Sequence, residues 1–233
     1  MTKRPAANRV FFREFFRQFH TTGSIVPSSR YLSRSLAKFV INRVEDRPLR
    51  ILEVGPGTGP VTRQIAQAMQ LQDRLDLVEI NPEFVRVLNE QIESEPVLQA
   101  VADRIRVLNQ PIEDVEDSDP YDVIISGLPF NNFDGNLVAS ILQRFEQLAC
   151  PGGRLSFFEY VGIRKLKSTV SPGRKTRERM RSVTASLNQY LAAETSRDTI
   201  LRNVPPAWVH HVQFPGETKA PAETDQPTSS TRV

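Results

Sequence analysis

The chain has 233 residues, 39% apolar and 24% charged, a balance that fits a soluble globular domain and excludes a collagen-like or disordered one. Cys150 is the single cysteine, which excludes a disulfide framework or a cysteine-rich metal site and fits a reducing compartment. No apolar run reaches the roughly 18–20 residues that span a bilayer, and the N-terminus lacks the apolar stretch of a secretory signal.

The net charge of +3 conceals a segregation. Residues 1–50 hold 11 Lys/Arg against 3 Asp/Glu (net +8), and residues 51–160 hold 7 against 18 (net −11). Residues 161–181 hold 8 against 1 (net +7), and residues 182–233 hold 4 against 5 (net −1). An acidic middle between two basic segments suits an anionic partner, nucleic acid or an anionic membrane, because a single-sign surface concentrates the opposite charge.

In chain order, residues 9–19 come first. At about 100° per residue a helix there gathers Phe11, Phe12, Phe15, Phe16 and Phe19 into an arc of roughly 140°, bordered by Arg9, Arg13 and Arg17. Such a face suits a helix lying in a membrane plane, or a lid packed on the core. Leu49–Val54 predicts a strand ending in glycines, Val61–Leu71 a helix, and Leu75–Ile80 a second strand. Pro82 opens the next helix, where proline suits the first position. Ile105–Leu108 is a third strand. Tyr121–Ser126, nearly all apolar, is a fourth strand buried on both faces. Leu137–Leu148 is helical, Pro151-Gly152-Gly153 a turn, and Arg154–Val161 a fifth strand. Strands alternating with helices imply right-handed crossovers and a parallel, doubly wound sheet. From Pro215 the chain is rich in Pro, Thr, Ser and Glu and reads as a disordered tail.

The strongest motif is Ile51-Leu52-Glu53-Val54-Gly55-Pro56-Gly57-Thr58-Gly59, a strand that breaks into three glycines and opens a helix. Main chain without Cβ atoms approaches a ligand closely, and the helix start adds unsatisfied N–H groups. Glu79, at the end of the next strand, supplies a carboxylate for two ribose hydroxyls. The spacing is G-x-G-x-G rather than the dinucleotide G-x-G-x-x-G, and Glu53 two residues before the first glycine disfavours a pyrophosphate while suiting an ammonium. Together these point to S-adenosylmethionine (SAM). Gln110 offers its carbonyl oxygen to the adenine amino group. Ile80, Ser126, Gly127 and Leu128, at the neighbouring strand ends, complete the expected cofactor set.

After the fourth strand, Ser126-Gly127-Leu128-Pro129-Phe130-Asn131-Asn132-Phe133 lies where an open α/β sheet places its substrate. Proline stiffens the loop, Asn131 brings polar groups, and Phe130 is the candidate ring for holding a cation by its π face.

Four segments carry a resemblance: Gly23-Ser24-Ile25-Val26-Pro27-Ser28-Ser29, Leu52 to Gly59, Val78-Glu79-Ile80-Asn81-Pro82-Glu83-Phe84, and Ser126 to Phe133. Together they resemble the bacterial phospholipid N-methyltransferases, from about residue 8 to residue 212. The resemblance implies a Rossmann-like seven-stranded methyltransferase sheet with N-terminal amphipathic helices. It also implies stepwise methylation of phosphatidylethanolamine to phosphatidylcholine, or methylation of an ornithine lipid. The ribosomal RNA adenine N6-dimethyltransferases share the layout but carry a further helical domain; they and small-molecule amine methyltransferases are the alternatives. The family usually shows Gly-Asp where this chain has Asn109-Gln110.

Three parts follow: basic amphipathic helices over residues 1–47, a catalytic core over 48–212 with a basic insertion near 164–181, and a tail over 213–233. Phe11, Phe15, Phe19, Arg13 and Arg17 are the expected membrane contacts, joined by Arg164, Lys165, Lys167, Arg174, Lys175 and Arg177, which suit lipid phosphates. Trp208 sits at the headgroup level or caps the core. Tyr160 is favoured over Glu159 and Asp134 as proton acceptor. His20, His210 and His211 form no metal set and none is needed. The expected setting is the inner face of an anionic phospholipid membrane, with an aminolipid rather than nucleic acid as partner; oligomeric state is not indicated.

Overall fold

A computed structural model describes residues 28–44, 46–116, 119–161, 183–184 and 186–216. The Phe-rich segment with Phe11, Arg13, Phe15, Arg17 and Phe19, and the basic stretch with Arg164, Lys165, Lys167, Arg174, Lys175 and Arg177, lie outside the described residues.

The sheet is built from β1 (Arg50–Val54), β2 (Arg74–Val78), β3 (Ile105–Leu108), β4 (Tyr121–Ser126), β5 (Ala149–Tyr160), β6 (Glu194–Ile200) and β7 (Ala207–Gln213). Their spatial order is β3-β2-β1-β4-β5-β7-β6. All run parallel except β7, which is antiparallel to both β5 and β6. The strand order reverses between β1 and β4, and a ligand crevice belongs outside the carboxyl ends at that point. The strand β4 is central and buried on both faces, with Val123, Ile124, Ile125 and Ser126 at most 2% exposed.

Helices cover both faces. On one lie α1 (Arg30–Leu36), α2 (Lys38–Ile41), α3 (Pro60–Ala68) and α4 (Pro82–Ser94). Leu32, Leu36, Val40, Val61, Ile65 and Leu88 pack there against Ile51, Leu77, Val123, Ile125 and Phe158. The short α5 (Pro96–Gln99) tucks Leu98 against Ala66. On the other face α6 (Gly135–Leu148) buries Leu137, Val138, Ile141, Leu142, Phe145 and Leu148 against Leu52, Ile124, Leu155 and Phe157, and Leu187 joins them. The spacing of these residues is the helical repeat that the sequence shows. Asp134 caps α6 by accepting from Leu137 N (2.9 Å), and Asn81 caps α4 by accepting from Glu83 N (2.9 Å). Asp134 is therefore spent as a cap and is a poor candidate for a proton acceptor.

The strand expected from Arg154 begins at Ala149. Its Pro151-Gly152-Gly153 stretch is a bulge inside β5, where the β4 pairing slips between Tyr121 and Val123. The core also extends past residue 212: Phe214 is buried and its N–H donates to Gly153 O (2.8 Å). At the amino end of the sheet, Asp76 accepts from Arg106 (2.7 Å), Arg50 (3.2 Å) and the Tyr121 hydroxyl (2.6 Å). Burial and the neighbouring carboxylate push the Tyr121 phenol up to about 12. These groups help to line a wide polar cleft.

Candidate active site

The ends of β1, β2 and β4 are tied into one rim. Gly55 N donates to Val78 O (2.9 Å), Gly127 N to Val54 O (2.8 Å), and Glu79 N to Leu108 O (3.0 Å). A crevice opens along this rim, lined by Val54, Gly55, Val78, Glu79, Ile80, Gln110, Pro111, Ile112 and Leu128. Six of the residues singled out in the sequence thus meet at one place: Gly55, Glu79, Ile80, Gln110, Leu128 and, behind Leu128, Gly127.

Two glycines do different work. A Cβ on Gly127 would lie 2.5 Å from Gly55 O, so only a bare Cα lets the two loops meet. Gly57 has φ +57° and its Cβ would touch nothing within 4 Å, so it faces open space, the cradle that a close-approaching ligand needs. Gly59, also at positive φ, is the N-cap of α3.

Glu79 is 1% exposed. Its Oε2 accepts from Gly57 N (3.1 Å) and its Oε1 from Asn81 N (2.9 Å), so the carboxylate braces the glycine loop as well as lining the crevice. Burial pushes its carboxyl up from the ordinary range, and the backbone donors pull it back. Asn109 Nδ2 donates to Glu79 O (2.9 Å), which explains the asparagine beside Gln110: it fixes the acidic residue while Gln110 lines the crevice.

Glu53 is 1% exposed and accepts from Thr62 Oγ1 (2.7 Å) on α3. Burial, with a smaller push from Glu79, raises its carboxyl to about 8. A carboxyl in that state stays protonated at neutral pH until a cation approaches. Sequence reasoning missed Thr62, whose partnership with Glu53 depends on how α3 lies on the sheet. Ser126 is fully buried and its hydroxyl accepts from Leu128 N (3.3 Å), holding the turn beyond β4.

Phe130 needs correction as an open cation-holding ring. It is fully buried, 5.6 Å from the Phe157 ring and 6.4 Å from that of Phe133, and is core packing in this structure. Asn131 is partly exposed in the turn Phe130–Asn132. Tyr160 lies at the carboxyl end of β5 but on the opposite sheet face from Phe157, edge-on to Phe158 (5.0 Å), and burial pushes its phenol up. Trp208 is half-buried under Arg197, whose guanidinium sits 5.5 Å from the ring centroid.

The sequence also gave no sign of a buried polar cluster on the Phe157 face. His210, 2% exposed, stacks on Phe157 (5.0 Å) and lies between Glu194 (Nδ1–Oε1 2.9 Å) and Glu159 (Nε2–Oε2 3.4 Å). The strand β7, unrecognised by its periodicity, brings it there. Among the described residues no group of His, Cys, Asp or Glu is arranged to hold a metal ion.

A reversed parallel sheet with an antiparallel β7, a glycine crevice at the switch point and a buried acid on each side of it are the features of a class I SAM-dependent methyltransferase. Residues 51–153 match the methyltransferase domain family. The ornithine lipid N-methyltransferase of Singulisphaera acidiphila is 28% identical over 144 residues, 62% of this chain and 73% of that protein. The tRNA1(Val) (adenine(37)-N6)-methyltransferase of Tolumonas auensis is 35% identical over 81 residues, 35% of this chain and 32% of that protein. Among solved structures, the O-methyltransferase TomG of Streptomyces achromogenes in complex with SAM is 12% identical at a TM-score of 0.59, covering 92% of each chain. The O-methyltransferase of Bacillus cereus in complex with SAH is 15% identical at a TM-score of 0.59, covering 85% of this chain and 88% of that one. Residues 51–153 thus form a SAM-dependent methyltransferase domain.

Proposed function

We propose that the chain transfers methyl groups to the amino nitrogen of a membrane aminolipid, an ornithine lipid in the first place and phosphatidylethanolamine in the second. The observation that carries this reading is the likeness to the ornithine lipid N-methyltransferase, which extends over 73% of that protein. The Ser126 to Phe133 segment and the Gly23 to Ser29 segment support it. The likeness to the tRNA enzyme covers 35% of this chain and carries no argument about substrate.

In this reading Glu79 grips the ribose, Gln110 with Ile80 and Leu128 receives the adenine, and Glu53 faces the methionine ammonium. Gly55, Gly57 and Gly59 allow the main chain to approach, and Ser126, Gly127 and Leu128 bound the crevice towards the substrate. SAM supplies a methyl group already activated as a sulfonium, so the protein has to align the amine and exclude water. The amine must lose a proton, since a free alkylammonium titrates near the lysine value of about 10. Glu159, backed by His210, is the better acceptor. It shares a sheet face with Phe157 and the loop after β4, whereas Tyr160 points to the other face with its phenol raised. Asn131 orients the headgroup.

No helix among the described residues is long and apolar enough to cross a membrane. We place the enzyme on the inner membrane face, held by the basic segments and the Phe-rich N-terminal segment. The test is expression in a bacterium without methylated lipids, followed by chromatography and mass measurement of the extract. New ornithine lipid or phosphatidylethanolamine heavier by one or more methyl groups is expected. An unchanged lipid profile with methylated RNA would overturn the reading.

A further inference from the structure

We infer that the β6–β7 turn, residues 201–206, is a membrane-docking tip that seats the catalytic edge of the sheet on an anionic phospholipid bilayer. The inference rests on the aminolipid reading for its setting and on the turn's own geometry for its content.

The turn's position comes first. Ile200 and Ala207 pair with each other, and Ala207 pairs with Tyr160 at the carboxyl end of β5. The turn therefore projects from the same edge of the sheet as the crevice.

Its composition comes second. Leu201 is 74% and Val204 75% exposed, two aliphatic side chains within one short turn. Single exposed aliphatics are ordinary, but here they stand beside paired cations. Arg30, at the start of α1, and Arg202 both donate to the Tyr31 hydroxyl, at 2.9 and 3.0 Å. Both guanidinium carbons also lie near the Tyr31 ring, 4.9 and 5.3 Å from its centroid. Among the described residues neither arginine has a carboxylate partner. Two like charges held on one tyrosine repel, and an anion between them relieves that cost. The two guanidiniums draw the Tyr31 phenol down from its usual value, which reports the same local positive field.

The tip is also rigidly mounted. Asn203, 4% exposed, accepts from Ser29 N (3.0 Å) and donates to Pro205 O (2.7 Å), and Ser29 caps α1 by accepting from Leu32 N (3.3 Å). The turn and the arginine of α1 therefore move as one body. Aliphatic tips flanked by guanidiniums suit an interface where acyl chains lie under phosphates. RNA is the poorer match, because Leu and Val offer no stacking surface to bases.

The test compares the full chain with two double variants, Leu201→Ser/Val204→Ser and Arg30→Gln/Arg202→Gln. Each is also made in a Phe11→Ser/Phe15→Ser/Phe19→Ser background, so that the N-terminal segment does not hide the turn's share. Sedimentation is measured with vesicles of phosphatidylethanolamine and phosphatidylglycerol, with phosphatidylcholine vesicles as the neutral comparison, and SAM affinity is measured by calorimetry. The arginine pair should weaken partition onto anionic vesicles about tenfold at low salt, with the loss shrinking as salt rises. The aliphatic pair should weaken it severalfold at any salt. SAM affinity should stay within about twofold for both. Unchanged partition in the triple-serine background would overturn the inference, as would loss of RNA binding in place of vesicle binding. If the wild-type chain methylates no aminolipid while the variants still lose vesicle binding, the aminolipid reading fails and the docking tip stands. If it methylates aminolipid and the variants partition normally, the docking tip alone fails.

Discussion

At the scale of single residues, the crevice separates folding from binding with unusual clarity. Gly57 faces open space at a φ that Asp tolerates better than most side chains, so Gly57→Asp should cost about 1 kcal/mol of stability. It should nevertheless abolish SAM binding, because it puts bulk and a second negative charge in the glycine loop beside Glu79, which accepts from Gly57 N. Thermal unfolding with calorimetry checks both halves. Gly127→Ala should do the reverse: its Cβ meets Gly55 O at 2.5 Å, so the loops must part and stability falls first. Glu53 gives a pH signature. Its folded-state carboxyl titrates at about 8 against an ordinary 4.5. Between these values the folded chain holds a proton that the unfolded chain has lost, so this group's contribution to stability falls as pH rises from about 4.5 to 8. Arrival of a cationic ligand beside it should expel that proton. Calorimetry at pH 7 in buffers of different ionisation enthalpy should show proton release on SAM binding, absent in Glu53→Gln. The places of Glu79 and the glycine loop at the carboxyl edge of the sheet were legible because a strand that breaks into glycines fixes where its residues sit. Phe130 was not, because whether an aromatic ring meets ligand or core depends on what packs behind it, here Phe157 from a different strand.

At the scale of elements, the strands β1 to β4 and helices α3, α4 and α6 could be read directly, since apolar runs bounded by Gly and Pro leave few alternatives. The strands β6 and β7 carry no such signal. Glu194–Ile200 is an edge strand in which buried and exposed sides differ little, and β7 hides two histidines in its interior. Those histidines are tied to other elements through contacts no periodicity reveals. His211, fully buried, meets Ser156 Oγ at 2.9 Å and Asp198 Oδ2 at 3.3 Å. Asp198 also accepts from Ser35 Oγ (2.8 Å) and Lys38 Nζ (2.9 Å), so one carboxylate joins β6, β7, α1 and α2. Asp198→Ala should therefore lower stability by about 1–2 kcal/mol in denaturant unfolding, with SAM affinity unaffected. Burial holds the His211 imidazole below its ordinary value of 6.5. The unfolded chain thus takes up this proton first, and stability should drop as pH falls through about 6.5, a slope that His211→Gln removes.

At the scale of the whole molecule, charge is segregated along the chain. An acidic core of net −11 over residues 51–160 sits between basic segments of +8 and +7. The carboxyl edge of its sheet carries both the crevice and an exposed Leu201–Val204 turn beside paired arginines. On the aminolipid reading, the basic segments favour an anionic surface and the acidic middle opposes it. High salt should accordingly lower turnover on vesicles far more than it lowers SAM affinity.

The most direct measurement is transfer of a labelled methyl group from SAM by the purified chain. The acceptors are vesicles containing ornithine lipid, vesicles containing phosphatidylethanolamine, and total RNA at matched salt, with Gly57→Asp as the control. Label in the lipid fraction from the wild type alone, ornithine lipid leading, is the predicted result. Label in RNA with none in either lipid, or equal labelling of lipid by Gly57→Asp, would contradict the assignment.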